Sequence, residues 1–408
     1  MAGKRAYERL IEYAKVHTAS IEDGTTTPST QRQFDLAHIL ERELNELGAQ
    51  NVYVDEHCYV YATLPATPGL EDKPCIGFLA HLDTIPDFSG ENVKPRVVEN
   101  YDGGDVELGT SGRTLSPAAF PHLAAFRGKT LVVTDGTTVL GADDKAGVAE
   151  IMTAVERLIN EKLPHGPIAV GFCPDEEVGH GASLMDLERF GAQLAYTLDG
   201  AAFGEIEYEN FNAAAATVEF AGFNVHPGSS KDTMINASLV AMQFNAMLPC
   251  GDTPRDTEGY EGFFHLTEMS GDVAKATLHY IIRDHDAGAF ETRKRMMQHA
   301  ADLLNARYGA GTVTLTLREQ YRNMVEMVRP HIEVVDKAMA AYRAMGYEGK
   351  AVPIRGGTDG AQLSFRGLPC PNLPTGSYGH HGPYEHAVAE EMDKVVELVL
   401  GIVKEFTE

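Results

Sequence analysis

The chain has 408 residues, more than a single hydrophobic core usually supports, so two domains are expected. Lys and Arg number 34 against 59 Asp and Glu, a formal charge of −25 that argues against nucleic acid and anionic membranes as partners. Five Cys, odd in number and without Cys-x-x-Cys spacing, argue against a disulfide framework and a thiolate zinc site.

The charged start of the chain and the shortness of every apolar run give neither a signal peptide nor a membrane span, and the expected setting is the cytoplasm. Tyr7, Leu10, Ile11 and Ala14 repeat at helical spacing, as do Phe34, Leu36, Ile39, Leu40, Leu44 and Leu47, so two amphipathic helices come first. The apolar run Cys75 to Ala80 reads as a strand and ends in His81-Leu82-Asp83. Residues i and i+2 share a strand face, so Asp83 can take the His81 ring proton and leave the other nitrogen for a metal. Leu131 to Thr134 reads as a further short strand. Ahead of the helix Ala146 to Ile159 lies Gly141-Ala142-Asp143-Asp144-Lys145-Ala146-Gly147. One Asp there can cap the helix, but two exceed what capping needs. A carboxylate at such a turn can bridge two cations about 3.5–4 Å apart.

Ile168 to Cys173 is the most apolar strand, and Asp175-Glu176-Glu177 follows it. Adjacent glutamates point different ways, so one can bind metal while the other takes a proton from activated water. The run Ala195 to Leu198 closes on Asp199, another hard oxygen donor. These strands alternate with helices, the pattern of a βαβ-type layered sheet. From Ala213 to Leu317 the order becomes β-α-β-β-α-β, that of a ferredoxin-like module. The α/β pattern then resumes with a helix from His331 to Met345, strand-like Pro371 to Pro374 and a closing helix from Ala389 to Phe406. The expected division is a discontinuous catalytic domain, 1–212 and 321–408, carrying an inserted lid of residues 213–320. His381, in the Gly-rich loop Gly379 to Glu385, stands four residues before Glu385 and repeats the imidazole-with-acid pairing of His81 and Asp83. Mixed His and carboxylate donors favour zinc, with cobalt or manganese as substitutes. The inventory is that of a two-metal hydrolase of α/β class.

At this point the residues resemble a family, peptidase T, the tripeptide aminopeptidases of a di-zinc superfamily that also holds aminoacylase and glutamate carboxypeptidase. The resemblance rests on His81-Leu-Asp-Thr84, Leu140-Gly-Ala-Asp-Asp-Lys-Ala-Gly147, Pro174-Asp-Glu-Glu-Val-Gly179, Tyr196-Thr-Leu-Asp-Gly200, Asn224-Val-His-Pro-Gly228 and the stretch Pro353 to Ser364. It implies a di-zinc exopeptidase-type domain with a mixed sheet flanked by helices, and two Zn2+ per chain. His81 and Asp199 would hold one ion, Glu177 and His381 the other, and Asp143 would bridge them, with a cis peptide to Asp144. Asp83 would support His81, Glu176 would be the general base, and His226 would reach the scissile carbonyl as the lid closes. Arg283, Asn236 and Arg355 would grip the peptide. Where a further histidine is expected near position 384, Tyr384 stands instead, and His380 adjoins His381. The partners so implied are small peptides, with a homodimer left open. The alternatives are a related dipeptidase, carboxypeptidase or N-acyl amino-acid hydrolase, or a non-catalytic peptide-binding protein.

Overall fold

The computed structural model describes residues 3–408. They form two compact units. The larger runs to Tyr208, resumes over Met324–Val352 and continues from Thr358 to the end; the smaller is Glu209–Asn323 with Pro353–Gly357. The short return at Pro353–Gly357 has no counterpart in the expected boundaries. It belongs to the smaller unit through Arg355, whose guanidinium donates to the carbonyls of Gly259 and Glu261, and through His285, whose Nε2 meets the Ile354 carbonyl.

The larger unit is built on an eight-stranded mixed sheet. Its order is Gln50–Val54, Val60–Leu64, Ile168–Cys173, Ile76–His81, Leu194–Gly200, Asn372–Pro374, Glu205–Glu209 and Lys350–Pro353. Four central strands, from Ile168–Cys173 to Asn372–Pro374, run parallel. Ile76–His81 and Ile168–Cys173 are buried along their whole length, as continuous apolar strands covered on both faces should be. Helix Ala142–Asn160 packs on one face beside Ala6–Tyr13 and Ala389–Glu405. Its approach is so close that a Cβ on Gly147 would lie 2.1 Å from the Leu198 carbonyl oxygen, which only glycine permits. The opposite face is sealed by Met185, Phe190, Leu363 and Leu368. Parallel strands open a crevice at their carboxyl ends, and His81, Asp175 to Glu177 and Asp199 all stand there.

Leu131–Val133, read from sequence as part of the main layer, belongs instead to a separate antiparallel sheet with Arg96–Val98, His386–Val388 and Ser377–Tyr378. Three apolar residues do not tell which sheet they will join. The pairing matters for the site, because it draws the loop before Ala142 and the loop Gly379–Glu385 together.

The smaller unit has one four-stranded antiparallel sheet, ordered Phe263–Gly271, Lys275–Asp284, Asn212–Ala221 and Val313–Tyr321. Helices Ala237–Met247 and Ala287–Tyr308 bury Val240, Phe244, Met297 and Leu304 against Val218, Phe220, Leu278 and Ile282 on one face. Strand alternation puts His279, Ile281 and Arg283 on the other.

Candidate metal centre

The first elements of the site are fixed by backbone. Strand Ile76–His81 delivers His81 at its last residue, 2% exposed, and its own N–H donates to Asp144 Oδ2 at 3.1 Å. His81 Nδ1 lies 3.1 Å from the Asp83 carbonyl oxygen and 3.4 Å from Asp83 Oδ1, which leaves Nε2 facing the crevice. Asp83 is fully buried and has a second task, one that no local spacing reveals. Its Oδ1 accepts the Glu176 N–H at 3.0 Å and its Oδ2 the Glu177 N–H at 3.3 Å, so one carboxylate holds the loop that carries both glutamates.

Asp143 and Asp144 begin helix Ala142–Asn160 with non-helical backbone angles, joined by a cis peptide. Asp143 turns its two oxygens to different partners. Oδ1 is 2.9 Å from His81 Nε2, and Oδ2 is 3.1 Å from His381 Nε2. Asp199 Oδ1 stands 3.6 Å from His81 Nε2, and Glu177 Oε2 stands 3.2 Å from His381 Nε2. The donors therefore fall into two triads, His81–Asp143–Asp199 and Asp143–Glu177–His381, each with all donor atoms within 4.8 Å of one another and sharing Asp143.

Electrostatics tell the same story. Burial pushes the Glu176 carboxyl well above its ordinary range, aided by Asp199, and pushes Glu177 up to about 7. Asp199 and Asp144 are likewise raised, burial again being the main cause. Asp143 and Glu177, as carboxylate acceptors of the His381 ring N–H, raise that ring to about 11. Carboxyls crowded in this way repel one another when ionised, and divalent cations are the countercharge that hard oxygen and imidazole donors accept. The residues fit two such ions.

Glu385 corrects an expectation. It does not support the His381 ring; its Oε2 accepts the N–H groups of Leu140 and Gly141, both at 2.7 Å, and its Oε1 that of Asp143 at 2.9 Å. Three backbone donors converging on one buried carboxylate outcompete a half-exposed imidazole. Asp175, grouped by sequence with the two glutamates, is an anchor as well. It has a left-handed φ of 57° and accepts from Ser29 N–H and Oγ at 2.6 Å and Gln33 Nε2 at 2.7 Å. Asp359, absent from the expected set, is buried with Oδ1 unpaired among the described residues, and burial raises its carboxyl to about 7.

The remaining expected residues lie in the smaller unit. His226 precedes the short turn Pro227–Ser229, exposed, and its Nδ1 accepts the Gly228 N–H at 3.1 Å. Asn236 caps helix Ala237–Met247, its Oδ1 accepting the Leu239 N–H. Arg283 directs Nη1 to the Ile282 and Ala214 carbonyls and lies over the Tyr321 ring. Arg355 was expected to grip substrate, but its fork is committed to Gly259, Glu261 and Thr257 and lies over Phe211 and Phe263. These bonds brace the 257–261 loop.

Comparison with known proteins gives the family. The model of Peptidase family M20/M25/M40 matches residues 131–405. A peptidase T of Clostridium perfringens (strain 13 / Type A) is 53% identical over 406 residues, covering 99% of this chain and 100% of the relative. The structure of an aminopeptidase PepT from Bacillus cereus superposes with a TM-score of 0.78 at 23% identity, covering 99% of this chain and 98% of that one. A Bacillus subtilis protein described as a dinuclear metal-binding peptidase of the M20 family superposes at 0.63, with 14% identity and 98% of each chain covered.

Proposed function

The chain belongs to peptidase family M20/M25/M40 and to its peptidase T members, and we infer that it is a metal-dependent aminopeptidase releasing the N-terminal residue of tripeptides. The observation that carries the residue assignment is the pair of donor triads meeting at Asp143. His81 and Asp199 are assigned to one ion, Glu177 and His381 to the other, and Asp143 to both. Zinc is the ion proposed, since two imidazoles and three carboxylates without thiolate suit it, with cobalt or manganese able to substitute. When bound, the ions supply Lewis acidity, lowering the pKa of water and polarising the substrate carbonyl.

Glu176 is the general base. Its peptide N–H is pinned by Asp83, its side chain is partly buried, and no cation is assigned to it. It takes the proton of the attacking water and delivers it to the departing amine, so the proton inventory closes on one carboxylate. His226 is assigned to the carbonyl oxygen. Because Nδ1 accepts from Gly228, the neutral ring carries its proton on Nε2 and can donate it to developing negative charge. Arg283 is assigned to the peptide's terminal carboxylate, which suits a guanidinium fork; Asn236 is a weaker contributor through its amide nitrogen. The setting proposed is the cytoplasm, consistent with five unpaired cysteines. Among the described residues no helix is long and apolar enough to cross a membrane.

The test is a series of di-, tri- and tetrapeptides, together with N-acylated amino acids, assayed on zinc-loaded protein and on Glu176→Gln. Tripeptides should be cleaved best, and the variant should lose roughly 10²- to 10⁴-fold in kcat with its metal content intact. Preference for an N-acyl amino acid would move the protein to the related hydrolases, and near-normal turnover by Glu176→Gln would remove that residue from the mechanism.

A further inference from the structure

His380 adjoins a proposed ligand, yet both donor triads close without it. Its ring is tied down from behind by a chain of buried hydroxyls. Thr375 Oγ1 donates to the Gly200 carbonyl at 2.7 Å, and a carbonyl can only accept. The single Thr375 proton is thereby used, so the contact between Thr375 Oγ1 and Ser377 Oγ, also 2.7 Å, must be donated by Ser377. Ser377 Oγ, 2.8 Å from His380 Nε2, is then left as an acceptor. Thr375 and Ser377 are 2% and 0% exposed, so water does not intervene to reverse the order. The direction of the whole relay follows from its carbonyl end: Nε2 carries the ring proton, and in the neutral ring Nδ1 is bare. That nitrogen lies 3.6 Å from Asp143 Oδ2, at the junction of the two triads.

A bare acceptor at that point has a natural donor in the reaction. In an N-terminal residue the free amine is two bonds from the carbonyl carbon, about 2.5 Å away. A carbonyl placed for attack beside Asp143 therefore brings the amine against the same wall. Five side chains of that wall are assigned to cations and Glu176 to the proton, whereas His380 Nδ1 has neither task. A neutral nitrogen can accept an amine N–H without adding another negative charge to a crowded acidic site. We propose that His380 Nδ1 accepts a hydrogen bond from the substrate's free α-amino group, which makes His380 a specificity-determining residue for N-terminal release. The proposal rests on the aminopeptidase reading above.

The experiment compares a tripeptide with its desamino analogue, identical but with hydrogen in place of the amine, on the parent, His380→Leu and His380→Asn. Leu and Asn are similar in size, and only Asn keeps an acceptor near the Nδ1 position. His380→Leu should lose roughly 10- to 100-fold in kcat/KM on the tripeptide, mostly through KM, and less than about threefold on the desamino analogue. His380→Asn should recover part of that loss, and both variants should keep the parent's metal stoichiometry and circular dichroism. Ser377→Ala, which frees the ring to change tautomer, should show a smaller loss with the same amine dependence. Equal losses on the two substrates, or loss of metal from His380→Leu, would overturn the proposal. Should the parent cleave no tripeptide, the functional reading itself fails. Calorimetric binding of the same peptide pair then decides about His380, since equal affinities for the two peptides in the parent would overturn it.

Discussion

The larger unit holds most of its candidate groups by burial and backbone, His381 being the exposed one, whereas those of the smaller unit are partly or fully exposed. His81, Asp83 and Asp144 are buried, and the Asp83 carboxylate takes two main-chain N–H groups while Asp144 takes those of His81 and Gly147. His226 is exposed on a loop, Asn236 starts a helix and Arg283 stands on the uncovered face of a sheet. The difference fits what each set has to do. Groups that hold cations and move a proton need fixed geometry at a low local dielectric, while groups that bind a variable peptide need reach.

The comparison is sharpened most by Asp83→Asn. An amide can still accept one N–H but offers the other a donor, so the Glu176–Glu177 loop loses a tie while every assigned ligand remains. A fall of roughly 10- to 100-fold in kcat, with KM within a few fold, is expected. If the loss is wholly recovered by added zinc, Asp83 acts on metal affinity alone and its grip on Glu176 is without kinetic consequence. A smaller effect of the opposite kind is expected from Arg283→Lys. The charge stays but the fork is lost, so kcat/KM for tripeptides should fall roughly tenfold through KM with little change in kcat. An amidated tripeptide should remove the difference between parent and variant; persistence of the difference would take Arg283 off the carboxylate.

What was legible in the sequence follows the same divide. Local spacing beside apolar runs and a glycine-rich loop picks out His81, the Asp143-Asp144 and Glu176-Glu177 pairs, Asp199 and the His380-His381 loop, while the choice of Asp143 and Glu177 within their pairs comes from the family resemblance. The insert's order of strands and helices was legible for a like reason, since alternation and helical periodicity are local. Long-range partnerships were not. Nothing in the spacing shows that Glu385 reaches back to Leu140, Gly141 and Asp143, that Asp175 seizes Ser29 and Gln33, or that Leu131–Val133 leaves the main sheet to pair with His386–Val388. Arg355 is a further case: its carbonyl partners lie about a hundred positions away in the chain, beyond the reach of any local motif.

The last expected effect is on stability alone and concerns a buried acid outside the chemistry. Glu150 lies in the middle of helix Ala142–Asn160 with no exposure, and neither carboxylate oxygen has a hydrogen-bond partner among the described residues. Burial, with Asp144 as a lesser cause, raises its pKa well above the ordinary 4.5, so the fold holds it protonated. In the unfolded chain the same group ionises near the ordinary value. The folded state therefore binds more protons at this position, and its contribution to stability falls as pH rises past about 4.5. Glu150→Gln removes the titration while keeping shape. At pH 5 the variant and the parent should melt close together, and by pH 8 the variant should gain on the order of 1–3 kcal/mol, a rise of a few degrees in Tm. The measurement is thermal unfolding of apo protein across that range. A constant offset between the two curves would mean that Glu150 is not held neutral, and that the larger unit tolerates a buried charge even where no cation is assigned.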